Sequence, residues 1–516
     1  MEKSKAYLSD RAISSVGYEC TGEYVLPDYN TDVKRILHVG CRAVPSGGFI
    51  NGENLELCGV LAYDVVYLDA EGEITSLDFC TDYDIKLRCD SDKYVDSHSK
   101  IDVSSYNIRL SGPRKISARA SLQASVHILE QSTCEPTGDV FELHEPEIAT
   151  ESIPVRSAVF SERLEREYAE QLCQLDAVIA DEVHVLRADC KAVKCTTRVV
   201  EGGFEHKGEL NASALIKIDG QIPFQRSVCI PFNEVIPLDG APVDGECGVD
   251  LVVTSVSCNV VPNDDGVSIV ASVITDSRAY SFFNQPLVLL TDCYLKDRAT
   301  ENEYADFVCN EHMCTACSED EISIDLPLSD NEGGDIRNFL MMDAVPRVEN
   351  AIVGESSVSV EGQIRFSGIA CQVSDENSPG YTAAKFDVPF SINVSNGLPC
   401  LDGCRAECYA FASDVSAMLD DKSIYLACTL STTVLLGREH RKKVVEASTA
   451  LDETFESSDS VITVYYPKEG DTLFDIAKKY HTSVDEIAMA NRLDEAVFSG
   501  VRSPSALQGL RKLIIK

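Results

Sequence analysis

The chain has 516 residues, enough for three or four domains of ordinary size. Its 84 acidic residues against 45 basic ones give a net charge of −39, which repels phosphate backbones and anionic headgroups and argues against nucleic acid or bare membrane as a partner. Tryptophan is absent, so a sugar site built on stacked indoles is excluded, while 44% hydrophobic residues suffice to build a core.

Residues 1–38 open on MEKSKAYLSD, without the basic and then apolar stretch of an export signal, and no later run approaches the roughly 18 apolar residues of a membrane span. The 21 cysteines are odd in number and scattered, which suits free thiols in a reducing compartment better than a disulfide framework. A soluble protein retained inside the cell is the expectation.

Most of the chain reads as β-structure. From Ile116 to Ile128 apolar and polar residues alternate without a break, so one face meets a core and the other water. Leu55–Leu68, Val249–Val261, Val267–Ile274, Val358–Phe366 and Ile424–Leu436 are similar, with turn sequences such as Asp69-Ala70-Glu71-Gly72 and Asn263-Asp264-Asp265-Gly266 between strands. These stretches recur as three β repeats, 39–130, 173–296 and 341–446. Each has a glycine-marked strand (Leu57-Cys58-Gly59, Lys207-Gly208-Glu209, Phe366-Ser367-Gly368) and then an aromatic pair (Asp82-Tyr83, Pro231-Phe232, Pro389-Phe390). A period near a hundred residues predicts tandem antiparallel β-sandwiches or barrels, not a solenoid. Segments 131–172 and 297–340 read as acidic connectors, the first with a helix at Ser161–Tyr168, and 447–460 reads as a linker.

The tail, 461–516, changes character, with eight basic and seven acidic residues. Val461–Tyr466 is a β-branched and aromatic strand, Gly470-Asp471-Thr472 ends it, and Leu473, Ile476, Ala477 and Tyr480 form one helical stripe. Thr472 with Asp475 and Ser483 with Glu486 are capping pairs, and Leu513-Ile514-Ile515 closes as a strand. The fold class is therefore mainly β, ending in a small α+β module of βααβ order.

Catalytic motifs are scarce. No glycine precedes a lysine, so a Walker A loop is impossible, and neither G-x-G-x-x-G nor G-x-S-x-G occurs. Cys309, Cys314 and Cys317 with His312 could be three ligands of a metal site or plain connector cysteines, while Cys400, Cys404 and Cys408 read as small core residues. His98, His127 and His184, in or beside strands, read as packed or solvated rather than catalytic. No cofactor, catalytic residue or metal is assigned, and the chain is read as a non-enzyme.

The GDTLFDIAKKY run with the capped second helix and Asn491 resembles a LysM module over Val461–Lys516. That resemblance implies binding of N-acetylglucosamine glycans, such as peptidoglycan or chitin-like polymers, or of a protein. The loops implied are Gly470, Asp471, Thr472 and Leu473, with Phe474 beside them and Asn491 and Leu493 opposite. Glu23–Leu37, reading EYVLPDYNTDVKRIL, resembles the opening of bacterial DUF3794-repeat proteins, and Thr291-Asp292-Cys293-Tyr294 resembles a second phrase of theirs. Such repeats before one C-terminal LysM are similar in layout to clostridial spore-coat morphogenetic proteins. The resemblance implies a scaffold made in the mother-cell cytoplasm that collects at the forespore surface, with the coat-basement ATPase SpoIVA and other coat proteins as partners.

Overall fold

The computed structural model describes residues 5–134, 145–240, 245–327, 336–372, 380–395, 403–420, 423–455, 462–493, 507 and 511–515. Six strands make the first unit: β1 (Lys5–Val25), β2 (Val33–Asn51), β3 (Asn54–Asp69), β4 (Ile74–Arg88), β5 (Tyr94–Gly112) and β6 (Lys115–Cys134). β2, β3 and β4 form an antiparallel meander, and a second sheet has the order β1-β6-β5. The inward residues of both sheets share one apolar core, where Ile116, Ala118, Ala120, Leu122, Ala124, Val126 and Ile128 are all buried, as the period of two predicts.

The plan repeats twice. The second unit has β7 (Glu147–Phe160), β8 (Leu164–Asp176), β9 (Val183–Val200), β10 (Gly203–Ile218), β11 (Phe224–Pro237), β12 (Glu246–Asn263) and β13 (Gly266–Tyr294). Here β7 and β8 both pair with β13 and together take the place of β1. The third has β14 (Arg298–Pro327), β15 (Ile336–Val353), β16 (Ser357–Gln372), β17 (Gly380–Ser395), β18 (Cys404–Asp420) and β19 (Ser423–Thr454), in sheets β15-β16-β17 and β14-β19-β18.

Each unit thus begins a strand earlier than its sequence repeat, so three expectations need correction. Ser161–Tyr168 is not a helix: from Leu164 it is the edge strand β8, registered from Leu164 opposite Ser277 to Asp176 opposite Gly266. An isolated helix of two turns is marginal, and the open edge of β13 offers every backbone group a partner. Segment 297–340 holds the 30-residue strand β14, paired along β19. The expected linker from 447 is still strand as far as Thr454, while 456–460 and 135–144 lie outside the described residues. These strands read as connectors because much of each faces water and carries acidic residues, although Ile322, Ile324 and Leu326 at the end of β14 do alternate and pack on the third unit's core.

The glycine and aromatic marks turn out to be one device. Gly59 lies opposite Tyr83, Gly208 opposite Phe232 and Gly362 opposite Phe390, each ring covering the bare backbone across the ladder. In the third unit the paired glycine is therefore Gly362 and not Gly368, which lies opposite Ala384. A Cβ at Gly362 would clash with the Arg347 carbonyl and stand 2.9 Å from the Phe390 ring. Gly362→Ala is expected to cost about 1–3 kcal/mol in a denaturant titration.

The units also pack on each other. Leu37, Val66 and Ile74 of the first, Leu186 and Leu215 of the second, and Met341, Ile369 and Tyr381 of the third bury one common apolar cluster. Two polar clusters likewise draw on all three. In one, the Asp10 carboxylate meets His127 Nδ1 at 2.9 Å and Arg156 Nε at 2.8 Å, and Glu407 lies 3.7 Å from His127 Nε2. In the other, Arg187 joins Asp64 to Asp343, the latter at 2.8 Å, and His38 stands 3.4 Å from Asp343. Such pairs hold register between units, because a misplaced neighbour leaves a buried charge alone.

Candidate functional site: the C-terminal module

The tail is built as strand β20 (Thr463–Tyr465), helix α1 (Leu473–Lys479), helix α2 (Val484–Asn491) and strand β21 (Leu513–Ile515), with β20 antiparallel to β21. Gly470 turns the chain out of β20 at φ +94°, a conformation that favours glycine. Thr472 caps α1, its hydroxyl accepting the Asp475 amide at 3.1 Å. Ser483 and Glu486 form a full capping box on α2, at 3.1 and 3.0 Å, so both pairs expected from the sequence are made. Leu473, Ile476, Ala477, Val484, Ile487, Leu513 and Ile515 are the buried centre.

The residues named from the sequence divide by role. Asp471 is half-buried, and its Oδ2 accepts the Lys468 amide and the Tyr465 hydroxyl, each at 2.7 Å. Those two bonds, the Lys468 amide foremost, hold the carboxyl below its usual range. It stays anionic and shapes the loop. Asp471→Ala should speed hydrogen exchange at the Lys468 amide with little change in global melting. Asn491 ties α2 to β21, donating to Ile487 O at 2.8 Å and Ile514 O at 2.7 Å and accepting from Ile514 N at 2.7 Å. Leu493 packs against the module's core, and Leu473 lies wholly inside it. Only Gly470 of the expected set is fully exposed.

Phe474 is committed elsewhere. It is 1% exposed and meets the Tyr294 ring edge-on, 5.2 Å between centroids, at the end of β13. Tyr294 donates its hydroxyl to Thr482 O at 2.6 Å, and one turn from Phe474 the Lys478 ammonium meets both Asp292 oxygens at 2.8 and 3.0 Å. Tyr294 and Ala149 belong to the same apolar cluster as the module's centre. The face of α1 bearing Phe474 is therefore a seam with the second unit and is closed to a ligand. The phrase Thr291-Asp292-Cys293-Tyr294, picked out in the sequence for its resemblance to a phrase of the repeat proteins, is the cradle for that seam.

The module leaves open charged residues, Lys468, Glu469, Lys479 and Asp485 among them, and also an apolar row. Ile462, Val464 and Tyr466, in β20 and at its two ends, are 64%, 46% and 68% exposed, and Met489 on α2 is 76% exposed. The strand was visible in the sequence, but not which of its faces the helices would cover. Elsewhere, Cys309 and Cys314 face different apolar clusters and Cys317 is exposed. Among the described residues no group of three His, Cys, Asp or Glu is placed to hold a metal ion, and Cys400 lies outside them. Cys404 and Cys408 pack on the third unit's core. Burial pushes the thiols of Cys41, Cys190 and Cys408 up to about 12, far from the thiolate a nucleophile needs.

Residues 468–497 match the LysM domain. The tail is a LysM module, a binding module rather than a catalytic one, and the match points to peptidoglycan or a related glycan as ligand class. No curated protein matches the chain. One solved structure, the type IV competence pilus secretin PilQ of V. cholerae seen by single-particle cryoEM, is 9% identical over 68% of this chain and 78% of that one. Its TM-score of 0.08 carries no argument. Among the described residues no helix is long and apolar enough to cross a membrane.

Proposed function

We propose that the chain is a non-enzymatic assembly scaffold: a rigid three-unit β body that presents a LysM module to a protein partner. The observation that carries it is the exposed row Ile462, Val464, Tyr466 on a module that is anchored to the body through other residues, Phe474, Lys478 and Thr482. An apolar row of that kind suits a protein surface, and Asp471 Oδ2 is already engaged by two bonds from its own loop. The finer reading rests on the resemblance to DUF3794–LysM proteins: a spore-coat morphogenetic scaffold of the SipL type, made in the mother-cell cytoplasm, gathering at the forespore surface and docking the coat-basement ATPase. The test is capture of the purified ATPase by the full chain and by a chain lacking 461–516. Capture by the first alone supports the reading, and equal capture by both overturns it.

The family match favours a second reading, a glycan-binding module acting through the Gly470–Asp471 loop. Saturable binding of chito-oligosaccharide to the full chain, weakened by Asp471→Ala, would replace the first reading with this one.

A further inference from the structure

Between the third and first units runs a cavity of about 370 Å³. One wall is the outer face of the β15-β16-β17 sheet, and the other is the seam between β2 and β5 of the first unit. The third unit contributes Arg347, Arg365 and Lys385 against a single carboxylate, Asp387, which pairs with Arg365 at 2.8 and 3.2 Å. Arg347 lies opposite Gln363, Arg365 opposite Val345 and Lys385 opposite Ser367. The three cations therefore run diagonally across one sheet face, at neighbour spacings of about 7–8 Å. Among the described residues neither Arg347 nor Lys385 has an acidic partner within ion-pair distance. Two unneutralised cations at an inter-unit cleft are out of keeping with a chain of net charge −39.

The facing wall has another character. Ile36, Val39 and Val103, partly buried on the first unit's core, line it beside His38, Ser104, Ser105 and Asn107, and the Tyr106 hydroxyl donates to Val39 O at 2.8 Å, bracing β5 against β2. At the boundary of the second and third units, by contrast, the Lys191 ammonium donates to Ala412 O at 3.3 Å and sits over the Phe411 ring, so that cation is already engaged.

We propose that this cleft binds a small organic anion, its charged groups meeting Arg347, Lys385 and Arg365 and its apolar body lying against Ile36, Val39 and Val103. Guanidinium and ammonium groups make short, charge-assisted bonds to carboxylate or phosphate oxygens, and a partly enclosed apolar wall adds area that a bare inorganic ion cannot use. The site joins two units that are far apart in sequence, so its occupant would bridge the first unit to the last.

Isothermal titration of the full chain with isophthalate, an aromatic dicarboxylate, tests the proposal, with inorganic phosphate as the second probe. The expected result is one saturable isophthalate site, weakened at least about tenfold in Arg347→Gln/Lys385→Gln, since two charge-assisted bonds are removed. Both side chains are exposed, so the variant should melt as the parent does. The pair Arg441→Gln/Lys443→Gln, which removes the same charge from β19, should leave binding unchanged. No saturable isophthalate binding, or undiminished binding in the cleft variant, overturns the site. Phosphate binding as tightly as isophthalate overturns the organic body of the ligand.

Discussion

Asp10→Asn is expected to destabilise the whole body by about 3–5 kcal/mol, because it takes from the buried Arg156 guanidinium its nearer counter-charge, leaving only Glu407 at 4.0 Å, where three units meet. The effect should appear as a shift of one cooperative transition and not as the early melting of a single unit, since first, second and third units all contribute side chains to that cluster. It should also depend on pH. Burial alone would raise the Asp10 carboxyl, yet the charges of His127 and Arg156 outweigh it and hold it below its usual range. Burial would likewise lower His127, but the Asp10 carboxylate prevails and raises it. A raised histidine stabilises fully below its unfolded value of about 6.5 and loses that contribution as pH climbs through the folded value. A lowered carboxyl contributes above about 3.9 and loses it as pH falls. Parent minus variant stability, followed by thermal melts, should thus peak between about pH 4 and 6.5 and shrink at higher pH. A difference that grows from pH 6.5 to 9 would contradict the assignment.

The second large effect is expected at the seam. Tyr294→Ala removes the ring beneath Phe474 and the hydroxyl bonded to Thr482 O, while the module's own core of Leu473, Ile476 and Ile487 keeps its partners. Truncating a buried aromatic costs about 3–5 kcal/mol. Here that loss should fall on docking, releasing the LysM module from the body without unfolding either. In NMR relaxation, amides of α1 and α2 that tumble slowly with the body in the parent should narrow in the variant. Asp292→Asn, which weakens the pair with the partly exposed Lys478 and the bonds from Asn302 and Tyr304 but leaves the ring contact in place, should release the module less. Unchanged relaxation in Tyr294→Ala would mean the seam does not hold the module.

The sequence made the β class, the alternation in β6, the βααβ tail and both helix caps legible, because period and capping chemistry are local. The leading strands β8 and β14 were not. Their outer residues face water, and what makes them strands is an open edge on β13 or β19, from 90 to 156 residues away. The third glycine mark was misplaced for a similar reason, since only the ladder shows that Phe390 covers Gly362. In the tail, Gly470 to Leu473 could be found from the turn and cap, but the burial of Phe474 depends on Tyr294, 180 positions earlier. The polar clusters around Asp10 and Arg187 left no trace at all. Each residue in them is an isolated charge or histidine within its own strand.

The outward row of β20 carries the functional account, and titration calorimetry of the full chain with the purified coat-basement ATPase tests it most directly. The parent should bind saturably, and Val464→Asp/Tyr466→Asp, which leaves the module's buried centre intact, should bind at least about tenfold more weakly, as burying two unpaired carboxylates against a partner requires. Equal affinity in parent and variant, or a parent that ignores the ATPase and takes up chito-oligosaccharide instead, would contradict it.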